Sequence, residues 1–268
     1  MRAKKRYGQH FLQGVWADKV VDAIAPRPDD RFVEIGPGPG ALTLRLAARV
    51  AHLTAIEVDR EMVALLAPRL PANVTLVEQD VLETDLAALM GVGPVRVAGN
   101  LPYNVSSPIL FRLLDAHRRY GCVPDATLML QREVADRIEA KPGTKDYGVL
   151  SIFVQLHADV RRVLSLPPGA FRPAPKVRSA VTRFTFRPPA VTLADEGVFN
   201  EMVRSMFTQR RKTLSNALGP FARVVGSSAD EALRTAGIDG KRRAETLQLT
   251  ELARLADYFA AAKNRAVL

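Results

Sequence analysis

The chain has 268 residues, 47% hydrophobic and 25% charged, with 38 Lys and Arg against 28 Asp and Glu for a formal charge of +10. That length admits one large α/β domain, or such a domain with a small appendage, and the composition is that of a folded protein without low-complexity tracts or repeats. A single cysteine, Cys122, excludes an internal disulfide, four histidines without ligand spacing argue against zinc or another metal, and no apolar run is long enough to span a bilayer.

The amino-terminal stretch lacks the apolar segment of a secretory signal, so the expected location is the cytoplasm, away from membranes. The positive charge points to a polyanionic partner, and its distribution says more. Residues 32–117 hold 6 basic and 9 acidic side chains, whereas residues 158–189 hold 7 basic and 1 acidic. The basic surface thus lies outside the half expected to bind a small ligand. A generally Arg-rich or heat-stable surface is the other reading of the total charge.

Residues 1–14 join a basic cluster, Arg2, Lys4, Lys5 and Arg6, to Tyr7-Gly8-Gln9-His10-Phe11-Leu12. A solvated arm accounts for the cluster but not for Phe11 and Leu12, so the segment is expected to fold back over a pocket. Trp16, Val20, Val21 and Ile24 then recur at helical spacing until Pro26 and Pro28.

Residues 31–36 read as a buried strand running into Pro37-Gly38-Pro39-Gly40, followed by a helical pattern over 41–50. Glycines there let the backbone approach a ligand at the carboxyl end of a strand, where open parallel sheets bind them. The spacing is Gly-x-Gly-x-Gly, not the Gly-x-Gly-x-x-Gly of dinucleotide enzymes, and a purely structural turn is the alternative. The next strand, 52–57, ends in Glu57, 17 residues after Gly40. A carboxylate there can accept both hydroxyls of a ribose. Residues 73–80 repeat the theme, and Asp80 either accepts from the adenine amine of a cofactor or caps the following helix. Residues 95–99 form a fourth strand that delivers Asn100. Gly36, Glu57, Asp80 and Asn100 follow one another at intervals of 21, 23 and 20 residues. That is the βαβ rhythm of a doubly wound sheet, and it puts all four along one edge.

Asn100-Leu101-Pro102-Tyr103 is the chemically richest stretch. Pro102 fixes its own φ, removes a donor and biases Leu101 to an extended conformation, so carbonyls around Asn100 and Leu101 should face outward. Such acceptors suit the exocyclic amine of an adenine. Hydrogen bonds from the amine to the Asn100 side-chain oxygen and a nearby carbonyl favour a pyramidal nitrogen with its lone pair exposed, and Tyr103 would stack on the base. The plain alternative is a strand-ending turn whose Tyr returns to the core.

Further on, 108–116 reads as a helix, 126–131 as a strand, 132–140 as a helix, 141–148 as a mobile loop, 149–157 as an amphipathic run and 160–166 as a strand. The proline-stiffened loop 167–176 carries Phe171, which is either a second face for the base clamp or an ordinary core ring, with Lys176 and Arg178 placed for phosphate contacts. Residues 179–186 alternate as a last strand. From 192 onward only helical patterns remain, carrying Arg210-Arg211-Lys212 and Lys241-Arg242-Arg243, which are either solvated faces or RNA contacts. The expected division is 1–189 and 190–268.

The order Glu34-Ile-Gly-Pro-Gly38, an acid after the second strand, Asp after the third, then Asn-Leu-Pro-Tyr resembles the S-adenosylmethionine-dependent rRNA adenine N6-dimethyltransferase family. The resemblance spans nearly the whole chain: Tyr7 to Leu12, Tyr147-Gly148-x-Leu150-Ser151, Phe171 to Ser179, Phe207-x-x-Arg210-Arg211-Lys212-x-Leu214 and Arg243-Ala-Glu245-x-Leu247. It implies a Rossmann-like class I methyltransferase sheet with an antiparallel final strand and a small all-helical C-terminal domain. It implies S-adenosylmethionine held by His10, Leu12, Gly36, Gly38, Glu57, Asp80 and Asn100, and catalysis by Asn100, Leu101, Tyr103 and Phe171. His10 stands where many relatives carry Asn. RNA contacts are expected from Lys4, Lys5, Arg6, Lys176, Arg178, Arg210, Arg211, Lys212, Lys241 and Arg242. The implied substrate is a pair of adjacent adenosines in the hairpin loop near the 3′ end of 16S rRNA, within an immature 30S subunit met by a monomer. An erythromycin-resistance-type 23S rRNA methylase and a mainly non-catalytic small-subunit assembly factor are the rivals.

Overall fold

A computed structural model describes residues 9–91 and 93–266; Lys4, Lys5 and Arg6 lie outside the described residues. The first half contains β1 (Phe11–Leu12), α1 (Gly14–Ile24), β2 (Arg31–Ile35), α2 (Thr43–Ala47), β3 (His52–Glu57), α3 (Arg60–Leu66), β4 (Val74–Glu78), α4 (Leu86–Met90), β5 (Arg96–Asn100), α5 (Ser106–Tyr120) and β6 (Asp125–Gln131). There follow α6 (Arg132–Glu139), α7 (Val149–His157), β7 (Ala158–Leu166), β8 (Phe171–Arg172), β9 (Ser179–Phe186), α8 (Glu196–Thr208), α9 (Leu214–Val224), α10 (Ala229–Ala236) and α11 (Leu249–Ala266).

Seven strands form one sheet in the order β4-β3-β2-β5-β6-β9-β7. The pairs from β4 to β6 are parallel, and β9 runs antiparallel to both β6 and β7. The apolar runs of β2, β3 and β5 are buried, as strands covered on both faces must be. From β2 the chain winds outward to β3 and β4, then returns across β2 to β5 and β6. This reversal opens a crevice at the carboxyl ends of β2 and β5, where such sheets take their ligands. The seam is tight: a Cβ at Gly99 would lie 2.7 Å from the Ile35 carbonyl oxygen, so glycine alone fits in front of Asn100.

Arg96 anchors the opposite end of β5. Its guanidinium pairs with Asp30 at 2.6 Å and Asp125 at 2.8 Å and donates to the Ile24 carbonyl at 2.9 Å. Arg96 thereby neutralises two acids, each of these side chains being under a fifth exposed, and shares the terminal carbonyls of α1 with Arg183.

The chain up to Ala135 joins Ala158–Pro188 in one compact unit, and Asp136–His157 joins the chain from Pro189 onward in a second. The division is discontinuous, where the sequence suggested a single break between 189 and 190. Segment 141–148, expected to be mobile, is tied down within the second unit. Tyr147 is 1% exposed and its hydroxyl donates to the Leu247 carbonyl at 3.2 Å, while the Gly143 N–H donates to the Glu245 carbonyl at 2.7 Å. The second unit is helical, with Phe199, Met202, Met206, Leu214, Leu252 and Phe259 in its core. Asp195 and Ser228 cap α8 and α10 through their side-chain oxygens. No described helix is long and apolar enough to cross a membrane.

Candidate active site

The crevice is a cavity walled by the ends of β2, β3 and β5, the turn after β4, and residues 9–12. It brings together His10, Leu12, Gly36, Gly38, Glu57, Asp80, Asn100, Leu101 and Tyr103 from their separate strand ends. Residues 9–12 fold back over it, β1 pairing antiparallel with β8 through Leu12 and Phe171; the rest of the expected arm lies outside the described residues.

Asn100 is half-buried, and its Nδ2 donates to the His10 carbonyl at 2.8 Å. A carbonyl only accepts, so this bond fixes which way the amide faces and leaves the side-chain oxygen as an acceptor on the cavity wall. Tyr103 is also half-buried; its hydroxyl shares a 2.6 Å hydrogen bond with Ser179 Oγ, and burial pushes its pKa up, so the ring stays neutral. The His10 ring stacks on it, with centroids 5.5 Å apart and planes at 30°. His10 Nδ1 donates to the Pro173 carbonyl at 2.8 Å, which ties the loop before Lys176 to the cavity rim.

Glu57 is 6% exposed and holds the glycine turn in place. Its Oε2 accepts from the Gly38 N–H and its Oε1 from the Asp59 N–H, both at 2.9 Å. Gly38 has φ +53, a left-handed conformation that suits glycine and aims its N–H at that carboxylate. Burial raises the Glu57 pKa and these N–H bonds oppose the rise. Each carboxylate oxygen keeps a lone pair for a ribose hydroxyl. Asp80 lines the cavity and accepts from the Leu82 N–H at 2.8 Å in the turn after β4, but it does not cap the following helix: that cap is Asp85, whose side chain accepts from the Ala87 and Ala88 N–H groups.

Three expectations need correction. Phe171 does not line the cavity: it is 2% exposed and packs into the core with Leu12, Ala17, Met129 and Val181, because its strand β8 is drawn inward by β1. Arg210 bonds Glu245 at 2.6 Å and also donates to the Lys145 carbonyl, and Arg242 holds Glu251 through two bonds at 2.5 and 3.1 Å and the Thr246 carbonyl at 2.9 Å. Both guanidiniums are spent on the fold of the second unit. Their sequence neighbours Arg211, Lys212, Lys241 and Arg243 are exposed, as are Lys176 and Arg178 in the first unit. The antiparallel bridge between Thr213 and Arg243 sets the two basic segments of the second unit side by side.

Sequence reasoning passed over Glu34 as a site residue. It sits inside β2, is 1% exposed, and lines the cavity with its Oε2 lacking a hydrogen-bond partner. Burial pushes its pKa up to about 8, the Thr43 hydroxyl opposing and the Glu57 charge adding to the rise. The signal was one acid among the apolar, buried residues Phe32, Val33 and Ile35. The described wall thus carries three acids, Glu34, Glu57 and Asp80, and no Lys or Arg, a setting for a small cationic ligand in a chain of charge +10. Among the described residues no group of His, Cys, Asp and Glu is arranged to hold a metal ion.

The family model described as Ribosomal RNA adenine dimethylase matches residues 1–261. "Ribosomal RNA small subunit methyltransferase A" of Geobacter metallireducens is 46% identical over 264 residues, covering 95% of this chain and 94% of the relative. The protein of that name from Xanthomonas campestris is 44% identical over 259 residues, covering 95% of each chain. Among solved structures, a dimethyladenosine transferase from Plasmodium falciparum superposes with a TM-score of 0.79 at 24% identity, over 94% of this chain and 98% of that one. The 23S rRNA methyltransferase ErmE superposes with a TM-score of 0.66 at 25% identity, over 93% and 99%.

Proposed function

We propose, for a chain that belongs to the ribosomal RNA adenine dimethylase family, that it methylates N6 of two adjacent adenosines in the hairpin loop near the 3′ end of 16S rRNA during maturation of the small subunit. The methyl donor is S-adenosylmethionine, which supplies an electrophilic methyl group on a sulfonium. The enzyme works in the cytoplasm, as a monomer.

The observation that carries this reading is the orientation of Asn100. With its amide nitrogen committed to the His10 carbonyl, its side-chain oxygen is a fixed acceptor beside the glycine turn. That oxygen and the Leu101 carbonyl accept the two N–H groups of the adenine amine and turn its lone pair toward the methyl carbon. Preorganised acceptors of this kind cost no reorganisation when charge develops. Tyr103 offers the stacking face for an extruded base. Glu57 takes the ribose hydroxyls, Asp80 the cofactor's adenine amine, and the backbone at Gly36 and Gly38 lets the ligand approach closely. Three wall acids without a Lys or Arg suit a donor with net positive charge. Lys176 and Arg178 near the rim, and Arg211, Lys212 and Lys241 on the helical unit, meet phosphates.

The test is incubation with labelled S-adenosylmethionine and small subunits from cells lacking the modification, followed by nucleoside analysis. N6,N6-dimethyladenosine in 16S rRNA is the expected product. Label appearing in 23S rRNA instead, or in no adenosine, overturns the assignment.

A further inference from the structure

We propose that binding of the methyl donor is coupled to the loss of one proton from Glu34, which then stands as the buried counter-charge to the ligand's cationic end. The proposal rests on the donor assigned above. Without ligand, Glu34 is a neutral carboxyl buried in the cavity wall; on binding, the carboxyl proton leaves to solvent and a carboxylate paired with the cation remains. No other atom is exchanged.

The geometry comes first. Glu34 is 1% exposed within β2, its register neighbours are Ala55 and Ala98, the residue lines the cavity, and its Oε2 is buried there without a hydrogen-bond partner. A buried carboxylate with an unsatisfied oxygen is costly, so the residue is held neutral until something positive arrives. The surroundings provide nothing positive. From β3 it faces Glu57, which adds negative charge; β5 brings Ala98 and Asn100, and α2 brings Thr43, all uncharged. The other ionisable side chains on the described wall are His10, Asp80 and Tyr103, and there is no Lys or Arg. Glu57 and Asp80 already receive backbone N–H bonds. Glu34 is the wall acid with an oxygen still to be satisfied. The pKa of about 8 that burial gives it agrees with this: the carboxyl is mainly protonated at neutral pH, and a cation alongside shifts it toward ionisation.

The measurement is titration calorimetry in two buffers of different ionisation enthalpy, using S-adenosylmethionine, S-adenosylhomocysteine and 5′-methylthioadenosine. At pH 7, binding of S-adenosylmethionine should release most of one proton, and its affinity should climb by up to about tenfold per pH unit on the acid side of the Glu34 titration. Glu34→Gln should bind without that release and with a flat profile. Release with S-adenosylhomocysteine too assigns the cationic partner to the amino-acid ammonium; release with the donor alone assigns it to the sulfonium. Methylthioadenosine, which carries neither charge, should release none.

Donor binding without proton release overturns the proposal and leaves the cofactor assignment standing; failure of the donor to bind at any pH sinks both. Loss of the release in Glu57→Gln but not in Glu34→Gln also overturns it. Should Glu34→Gln fail to fold, the wild-type profile decides: affinity that keeps rising with pH above the ordinary carboxylate range upholds the coupling, and a profile that is flat above about pH 5 refutes it.

Discussion

Replacing Asn100 by Ala separates catalysis from binding. The wild-type amide is held by a 2.8 Å bond to the His10 carbonyl, which leaves one oriented oxygen on the cavity wall for the proposed substrate contact. Losing one preorganised partner of this kind costs about 2.7–4 kcal/mol of transition-state stabilisation, roughly a hundred- to a thousandfold in rate. The variant also leaves the His10 carbonyl without its donor, at a cost of about 0.5–1.5 kcal/mol in stability. Gly36, Gly38 and Glu57 remain on the wall, so donor affinity should move by less than about tenfold, the equivalent of about 1.4 kcal/mol. Asn100→Asp sharpens the comparison. Its side chain has nearly the same shape but cannot donate to the His10 carbonyl as a carboxylate, so the fixed orientation is lost and turnover should again fall steeply. The assay is single-turnover methyl transfer at saturating donor and RNA, beside equilibrium dialysis of the donor. An Ala variant that reacts at close to the wild-type rate refutes the reasoning, and so does a loss of donor affinity large enough to account for the whole decline.

Arg96→Ala breaks ion pairs at 2.6 and 2.8 Å in which the Arg side chain is 13% exposed. Uncompensated buried acids of this kind cost about 3–5 kcal/mol, which for a unit of this size lowers Tm by roughly 6–20 °C in calorimetry; an unmoved Tm would mean the cluster is not holding the sheet. Arg211→Ala and Lys212→Ala should each reduce the salt slope of RNA binding by about 0.7–0.9 with the fold intact, whereas Arg210→Ala should destabilise the helical unit and leave the slope alone. Binding isotherms at several salt concentrations and melting curves tell these outcomes apart. Glu34 has a folded pKa of about 8, above its ordinary value of 4.5, so the stability it contributes is complete below pH 4.5 and is lost as pH rises through 8. Ligand-free wild type should therefore fall behind Glu34→Gln in urea midpoint between pH 5 and 8; a constant difference across that range would show the carboxyl is not buried neutral.

Much of the first unit could be read from the residues, because parallel strands buried on both faces are written as short apolar runs and their carboxyl ends are where polar side chains reappear. Gly36, Glu57, Asp80 and Asn100 announced themselves in this way. What escaped depends on contacts between distant residues. Phe171 carries no mark that tells a stacking ring from a core ring; only the pairing of Leu12 with Phe171 draws it inward. Arg210 and Arg211 look alike in sequence, and it takes Glu245, 35 residues on, to claim one and leave the other in solvent. The mobile-loop reading of 141–148 failed for the same reason, since the partners of Gly143 and Tyr147 lie about 100 residues downstream. Glu34 was visible as an acid out of place, but its significance rests on an unsatisfied oxygen, which spacing cannot reveal.

The amide at position 100 takes its bearing from a main-chain oxygen at position 10, 90 residues earlier. Every amino acid brings that oxygen, so exchanging the side chain at position 10 spares this bond while removing the ring stacked on Tyr103. What has to be kept is the path of the main chain leading into β1. Trimming or splinting residues 9–12 would therefore turn the Asn100 amide itself.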